Sequence, residues 1–165
     1  MFSTALAPVI ANKTISNTVT FGTGMATFLI QGEDTDGNFS VQEMVARPGM
    51  EPPYHVHEFE DETFYVLEGK VSVMIDGQVH ELSAGEIIFM PRGLPHTFRI
   101  RSEIARTLLF VTPAGFEKYF RAIGSPAKSL ELPAGDTRPA PDYFETVRNA
   151  AARFGITLMP EQPEF

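Results

Sequence analysis

Four residues in this chain have the types and spacing to hold one metal ion. Histidine is scarce, with four in 165 residues. Two of them, His55 and His57, stand two apart, and in an extended segment residues i and i+2 point to the same face. Two imidazoles on one face can bind one ion; equally, they can be two solvated surface groups. The residues that follow narrow the choice. Glu58, Glu60, Asp61 and Glu62 come next, and one carboxylate beside two imidazoles gives the mixed nitrogen and oxygen set that divalent iron, nickel, manganese, cobalt, copper or zinc accept. A third histidine, His96, comes just after the turn-rich stretch Pro91-Arg92-Gly93-Leu94-Pro95, which leads into a strand pattern and can return to the same face. The fourth, His80, lies in another strand pattern and reads as a surface residue. The acids other than Glu62 read as a solvated loop.

Short strands must position these groups. The first 112 residues show recurring runs of β-branched and aromatic residues broken by Gly, Pro and Asp. Val19 to Ile30 is one candidate strand region, with Gly22 and Gly24 as possible bulge sites. Phe39 to Arg47, Thr63 to Leu67, Val71 to Ile75, Gln78 to Leu82, Glu86 to Met90, His96 to Ile100 and Arg106 to Thr112 complete the series. Asp76-Gly77 is a two-residue hairpin signal, because both positions need positive φ. The pattern predicts an antiparallel sandwich or small barrel. From Phe116 the period changes: Phe116, Tyr119, Phe120 and Ile123 fall on one helical face, with Gly124 as the stop. Pro126, Pro133, Pro139 and Pro141 then make 125–141 an extended connection. A second helix begins near Asp142, with Phe144, Val147, Ala151 and Phe154 on one face and Gly155 at its carboxyl cap. These helices must bury their apolar stripes against the β body, over its mouth.

Composition excludes several classes. Apolar residues are 43% and charged residues 21%, as in an ordinary globular protein. Thirteen basic against 21 acidic residues leave a net charge of −8, which repels nucleic acid and anionic membrane surfaces. The chain has no cysteine, which removes thiolate catalysis, cysteine-ligated zinc and iron–sulfur clusters. No apolar run is long enough to span a bilayer. Met1 to Ile10 lacks a basic n-region and carries Pro8, unlike a cleaved signal peptide. The expectation is a soluble, cytoplasmic protein.

The spacing of the histidines resembles the cupin superfamily. Its first motif is G-x5-H-x-H-x(3,4)-E-x6-G, and this chain supplies Gly49, His55, His57, Glu62 and Gly69. The second is G-x5-P-x-G-x2-H-x3-N, matched by Gly85, Pro91, Gly93 and His96, with Ile100 where Asn is usual. Nine of ten fixed positions are therefore present in order. Asp61 fits the shorter spacing of the first motif by position only. The resemblance implies an all-β, double-stranded β-helix barrel over residues 1–112 with a helical extension over 113–165. It implies that His55, His57, Glu62 and His96 bind one divalent metal, with Gly49, Gly69, Gly85 and Gly93 as turn residues. Ile100 makes the pocket more apolar without touching the ligand set.

Strand parity then suggests a pocket wall. Glu62 facing in predicts the same for Phe64 and Val66, and His96 predicts it for Phe98 and Ile100. Tyr54 is expected at the mouth, and Phe21, Met25 and Phe28 on the wall. Arg92 and Arg99 are the nearest basic groups, one in a turn and one pointing outward, so the pocket does not suit a sugar phosphate. One barrel followed by aromatic helices is similar to single-domain cupins of the quercetin 2,3-dioxygenase type. That likeness implies a flavonol-type substrate bound to the metal through a hydroxyl deprotonated by Glu62, and cleavage by dioxygen with release of carbon monoxide. Two alternatives stand: a non-oxidative cyclase or isomerase on the same barrel, and a non-catalytic binding module. Cupins commonly pair through edge strands, which implies a homodimer.

Overall fold

The computed structural model describes residues 6–49, 51–137 and 141–165. Met1–Ala5 of the amino-terminal stretch and Pro139 of the proline-rich connection lie outside the described residues. Among the described residues twelve strands and two α-helices are formed: β1 (Thr18–Phe21), β2 (Gly24–Ile30), β3 (Ser40–Ala46), β4 (His55–His57), β5 (Asp61–Glu68), β6 (Lys70–Ile75), β7 (Gln78–Ser83), β8 (Ile87–Met90), β9 (His96–Ile100), β10 (Ala105–Thr112), α1 (Glu117–Ile123), β11 (Ser125–Pro126), α2 (Tyr143–Arg153) and β12 (Ile156–Leu158). A 3-10 turn spans Gly32–Asp34.

The strands make two sheets, with every pairing antiparallel. One has the order β11-β1-β2-β3-β10-β5-β8 and the other β12-β4-β9-β6-β7. The expected all-β fold is found, in a jelly-roll arrangement. The inner faces meet in one core, where Phe64, Val66, Leu109 and Val111 of the first sheet pack with Val71, Val73 and Ile100 of the second. Each such side chain contributes about 1.5–3 kcal/mol by leaving water. The period-2 burial of β5, with Glu62, Phe64 and Val66 inside and Thr63, Tyr65 and Leu67 less buried, follows the alternation read from its sequence.

Asp76 and Gly77 both have positive φ, 48° and 77°, and join β6 to β7 as the pair predicts. Gly22 and Gly24 are a correction. They do not bulge one long strand: Phe21 pairs with Gly24, so they bracket the turn of a hairpin between β1 and β2. The irregularity in β2 lies further on, between Phe28 and Ile30. Both helices form where the 3.6 period places them, and Gly124 and Gly155 follow them. Two strands of the carboxyl-terminal extension escaped the sequence pattern. β11 pairs with β1, and β12 pairs with β4, the strand that carries His55 and His57.

Candidate metal centre and cavity

The alternation of β4 buries His55 and His57 on one side and leaves Val56 less buried between them. His96 opens β9 directly opposite His55 in the sheet register. Glu62 comes from β5 of the facing sheet, so the four groups converge from both layers. All four are buried, with donor atoms within 4.8 Å of one another. His55 Nε2 lies 3.0 Å from His57 Nε2. Glu62 Oε2 lies 3.1 Å from His96 Nε2 and 3.6 Å from His57 Nε2.

The outer nitrogens decide what this cluster can do. His55 Nδ1 donates to the Pro53 carbonyl at 2.8 Å, and His96 Nδ1 to the Leu94 carbonyl at 3.0 Å. With Nδ1 protonated, both rings turn Nε2 lone pairs inward. Lone pairs and a carboxylate crowded this close together repel one another unless a cation sits among them. Separations near 3.0–3.6 Å are those of adjacent donors about 2.0–2.2 Å from a common ion. The donor set therefore fits a divalent transition metal. The shifts of His55 and Glu62 agree, while His57 favours a proton that a bound ion would replace. Burial, then the neighbouring His96 and His57, push His55 down to about 3, so this ring is neutral and ready to ligate. Burial opposes the Glu62 charge as well, but His57 and His96 outweigh it and hold the carboxyl at about 2. Burial also opposes a charge on His57, while Glu62 and Glu60 more than offset it and raise that ring above its usual value.

Neighbouring contacts lock the ligand strands. The Gly93 backbone N–H donates to the His57 carbonyl at 2.9 Å, tying the turn before β9 to β4. Arg92 in that turn binds Asp61. The acidic run is thus not the solvated loop it reads as. Asp61 is an ion-pair partner, and Glu60 is buried with its Oε2 3.5 Å from His57 Nδ1. His80 is exposed, as expected.

A cavity of about 210 Å³ adjoins the cluster, with His55, Glu62 and His96 in its wall. Of the residues expected there, Phe21, Phe64, Phe98 and Ile100 line it. Tyr54, Val66 and Phe28 do not. Tyr54 neighbours inward-facing His55 and so takes the opposite side by the same parity. Val66 shares the inner face of β5 but packs into the core beyond the cavity. Phe28 is fully buried under the Arg121 guanidinium, 4.2 Å from its ring centroid. Met25 is likewise buried core and not wall. Arg92 and Arg99 both lie off the wall.

Sequence reasoning expected the carboxyl-terminal helices over the mouth of the β body but named none of their residues as wall. Phe116, Tyr119, Phe120 and Ile123 of the first helical segment and Tyr143 and Val147 of α2 face the cavity. Their signal was present in the helical spacing of the aromatics, but spacing alone does not say which of them reach the cavity. Phe116 stands edge-on to His57, with ring centroids 4.7 Å apart, and stacks on Tyr119 at 5.1 Å. Burial, with Tyr143 and the Glu62 charge nearby, holds the Tyr119 phenol well above its usual range. Burial raises Tyr143 too. Both therefore stay neutral hydrogen-bond donors at physiological pH.

Known proteins share this arrangement in part. Quercetin 2,3-dioxygenase from Bacillus subtilis is 34% identical over 101 residues, covering 61% of this chain and 30% of that protein. Polyketide synthase CurC from Streptomyces cyaneus is 33% identical over 70 residues, 42% of this chain and 46% of that protein. Tetracenomycin polyketide synthase protein TcmJ from Streptomyces glaucescens is 29% identical over 96 residues, 58% and 56% of the two chains. The matched stretch is thus about a third to just over half the length of these relatives. Among solved structures, KdgF from Halomonas sp. superposes with TM-score 0.53 at 17% identity, over 58% of this chain and 84% of that one, which supports the fold alone. The profile of the Cupin domain matches residues 42–124, from β3 through both histidine motifs to the end of α1. With the jelly roll and the buried His55–His57–Glu62–His96 cluster, that match makes this chain a member of the cupin family.

Proposed function

We propose that this cupin is a metal-dependent dioxygenase that cleaves an aromatic polyphenol of the flavonol, quercetin-like type. One observation carries the reading: a buried three-histidine, one-glutamate cluster opens onto a cavity walled by aromatic and aliphatic side chains. The likeness to quercetin 2,3-dioxygenase supports it. His55, His57, His96 and Glu62 would hold one divalent iron, nickel, manganese, cobalt, copper or zinc ion. Such an ion would supply a Lewis acid for a phenolic oxygen and, where it is redox-active, a path for dioxygen chemistry.

The chain's own residues do the rest. Glu62 is the catalytic group: its Oε2 stands ionised at the cavity wall, and although the neighbouring histidines hold it low, it could take the proton of a substrate hydroxyl made acidic by an ion on the same ligands. Phe64 and Phe98, edge to face at 5.4 Å, with Ile100 and Phe21, make a dry wall for a planar ring system. Tyr119 and Tyr143 offer that ring system hydroxyl donors. The helical segments cover the cavity and keep water from the activated ring. The partners are then a small aromatic substrate and dioxygen, with no role for nucleic acid. No helix among the described residues is long and apolar enough to cross a membrane. A cytoplasmic location and a homodimer belong to the same reading, and a monomer by light scattering would remove the latter.

The likeness to two polyketide synthase proteins favours a second reading, a non-oxidative cyclase or isomerase acting on an aromatic polyketide in the same cavity. Two measurements separate them. Metal content of the purified protein, beside a His57→Ala control, should show about one equivalent lost in the control. Oxygen uptake with a flavonol panel should then accompany carbon monoxide release. Metal without oxygen uptake moves the assignment to the second reading. No metal after reconstitution with each ion overturns both.

A further inference from the structure

We propose that Glu60 is a positioning residue for the metal centre, holding the His57 ring from its outer side and placing a second negative charge behind the ligand set. This rests on the reading that the cluster binds a metal. Glu60 Oε2 and His57 Nδ1 face each other at 3.5 Å, with side-chain exposures of 10% and 0%. Neither atom has another hydrogen-bond partner among the described residues. A shift of about half an ångström would close the contact into a hydrogen bond.

The other two histidines make the contrast. Their Nδ1 atoms are held by the neutral carbonyls of Pro53 and Leu94. His57 alone presents its outer nitrogen to a carboxylate. A carboxylate in that position fixes the Nδ1–H tautomer, turns Nε2 toward the ion and raises its basicity. It also answers a second question, since a buried carboxylate oxygen with no other partner is costly unless something compensates it. Glu60 stands outside the ligand cluster itself. Glu60 and Glu62 together carry the two negative charges that a divalent ion balances, one as ligand and one from behind. The run His57-Glu58-Phe59-Glu60 thus supplies a ligand and its support three residues apart.

Cobalt(II) is a suitable probe, because its visible bands report ligand basicity and geometry. Competition with a chelator should show cobalt bound 10–100-fold more weakly by Glu60→Gln than by the parent, with shifted bands. Glu60→Asp should recover part of the affinity. The metal-free Glu60→Gln protein should still unfold cooperatively, since the amide oxygen can accept from His57 Nδ1, whereas a purely structural role predicts a much lowered midpoint with cobalt affinity unchanged. Cobalt affinity within about twofold of the parent, with unchanged bands, overturns the proposal and leaves the metal reading intact. A parent protein that binds no cobalt overturns both. If Glu60→Gln does not fold, Glu60→Asp decides: weakened cobalt binding at a native metal-free midpoint supports the role, and parental affinity removes it.

Discussion

Arg92 and Asp61 are joined three times. The guanidinium donates to the carboxylate at 3.0 and 2.7 Å, and the Arg92 backbone N–H adds a third bond at 2.8 Å. Asp61 begins β5 one residue before Glu62, and Arg92 lies in the turn that delivers His96. The pair therefore ties the start of β5, beside Glu62, to the turn that leads to His96. Arg92 also donates to the Thr112 carbonyl at the end of β10. The pair is exposed enough for solvent to screen it, so its value lies in geometry more than in stability. Arg92→Ala should leave the fold intact and weaken metal binding by less than the ~10–100-fold expected of a direct partner to a ligand. A chelator competition assay checks this, and metal affinity equal to the parent's would show that the turn is held without the pair.

Glu62 carries two roles in the proposed reaction, ligand and proton acceptor. Glu62→Gln keeps a ligating oxygen but cannot take a proton. It should retain substoichiometric metal and still bind a flavonol, while turnover falls about 10²–10⁴-fold, the range for loss of a general base. His57→Ala should lose metal and turnover together. Single-turnover kinetics at matched metal loading separate the two effects. Unchanged turnover in metal-loaded Glu62→Gln would move the proton-accepting role elsewhere in the cavity.

The buried histidine–glutamate cluster is readable in the sequence because its signal is local. His55 and His57 share a face through strand parity, and the turn at Pro91–Pro95 returns His96 opposite His55. Asp76-Gly77 was readable for the same reason, as two adjacent residues suffice to define that hairpin. Glu60 was not, because its burial depends on what packs over β4 and β5 and not on its neighbours in sequence. Val66 shows the limit of parity: alternation gives the correct face but not how far along the strand the cavity extends. Tyr54 is the reverse case, since the rule that turns His55 inward also turns Tyr54 away. Three-residue β12 carries too short a pattern to register as a strand, and only its distant partner gives it that conformation.

Tyr119 gives the fold an alkaline limit. Its phenol is raised well above the usual value in the folded chain by burial, with Tyr143 and Glu62 adding to the effect. In the unfolded chain it ionises near pH 10. The neutral phenol is thus fully compatible with the fold below about pH 10, and stability is lost as pH climbs from there toward the folded value. Tyr119→Phe keeps the ring stacked on Phe116 and removes the proton. Its alkaline unfolding midpoint should lie at higher pH than the parent's, and Tyr143→Phe should act in the same direction. The same two variants should bind flavonols more weakly if the hydroxyls contact the ligand. Identical alkaline transitions for parent and Tyr119→Phe would show that the phenol is hydrated in the folded state.

Cavity polarity offers another test. Ile100 stands where the family motif has Asn, is buried, and lines the cavity beside Phe98. Ile100→Asn would restore the motif residue but add an amide to an apolar wall. An unpartnered buried amide costs about 1–3 kcal/mol. A thermal melt should show that loss, together with weaker binding of an apolar flavonol and unchanged metal content. A melt equal to the parent's would mean that the amide finds a partner in the cavity.

The strand that carries His55 and His57, two of the four clustered residues, is held mainly by the end of the chain. β4 pairs with β12 at three positions, Ile156 with His57, Thr157 with Val56 and Leu158 with His55. On its other side it pairs with β9 only through His55 and His96. The Glu58 backbone N–H donates to the Gly155 carbonyl, and the Met159 N–H to the Tyr54 carbonyl, so the pairing is closed at both ends. Without β12, β4 would become a poorly anchored edge strand and its histidines would lose their fixed spacing. Removal of residues 156–165 should therefore abolish metal binding, while hydrogen exchange still shows protection in β5, β6 and β10. Ile156→Val, which keeps the backbone pairing and trims one buried methyl, should cost only about 0.5–1.5 kcal/mol and retain the metal. Stoichiometric metal in the truncated chain would show that β9 and the turn before it suffice to hold His55 and His57 in place.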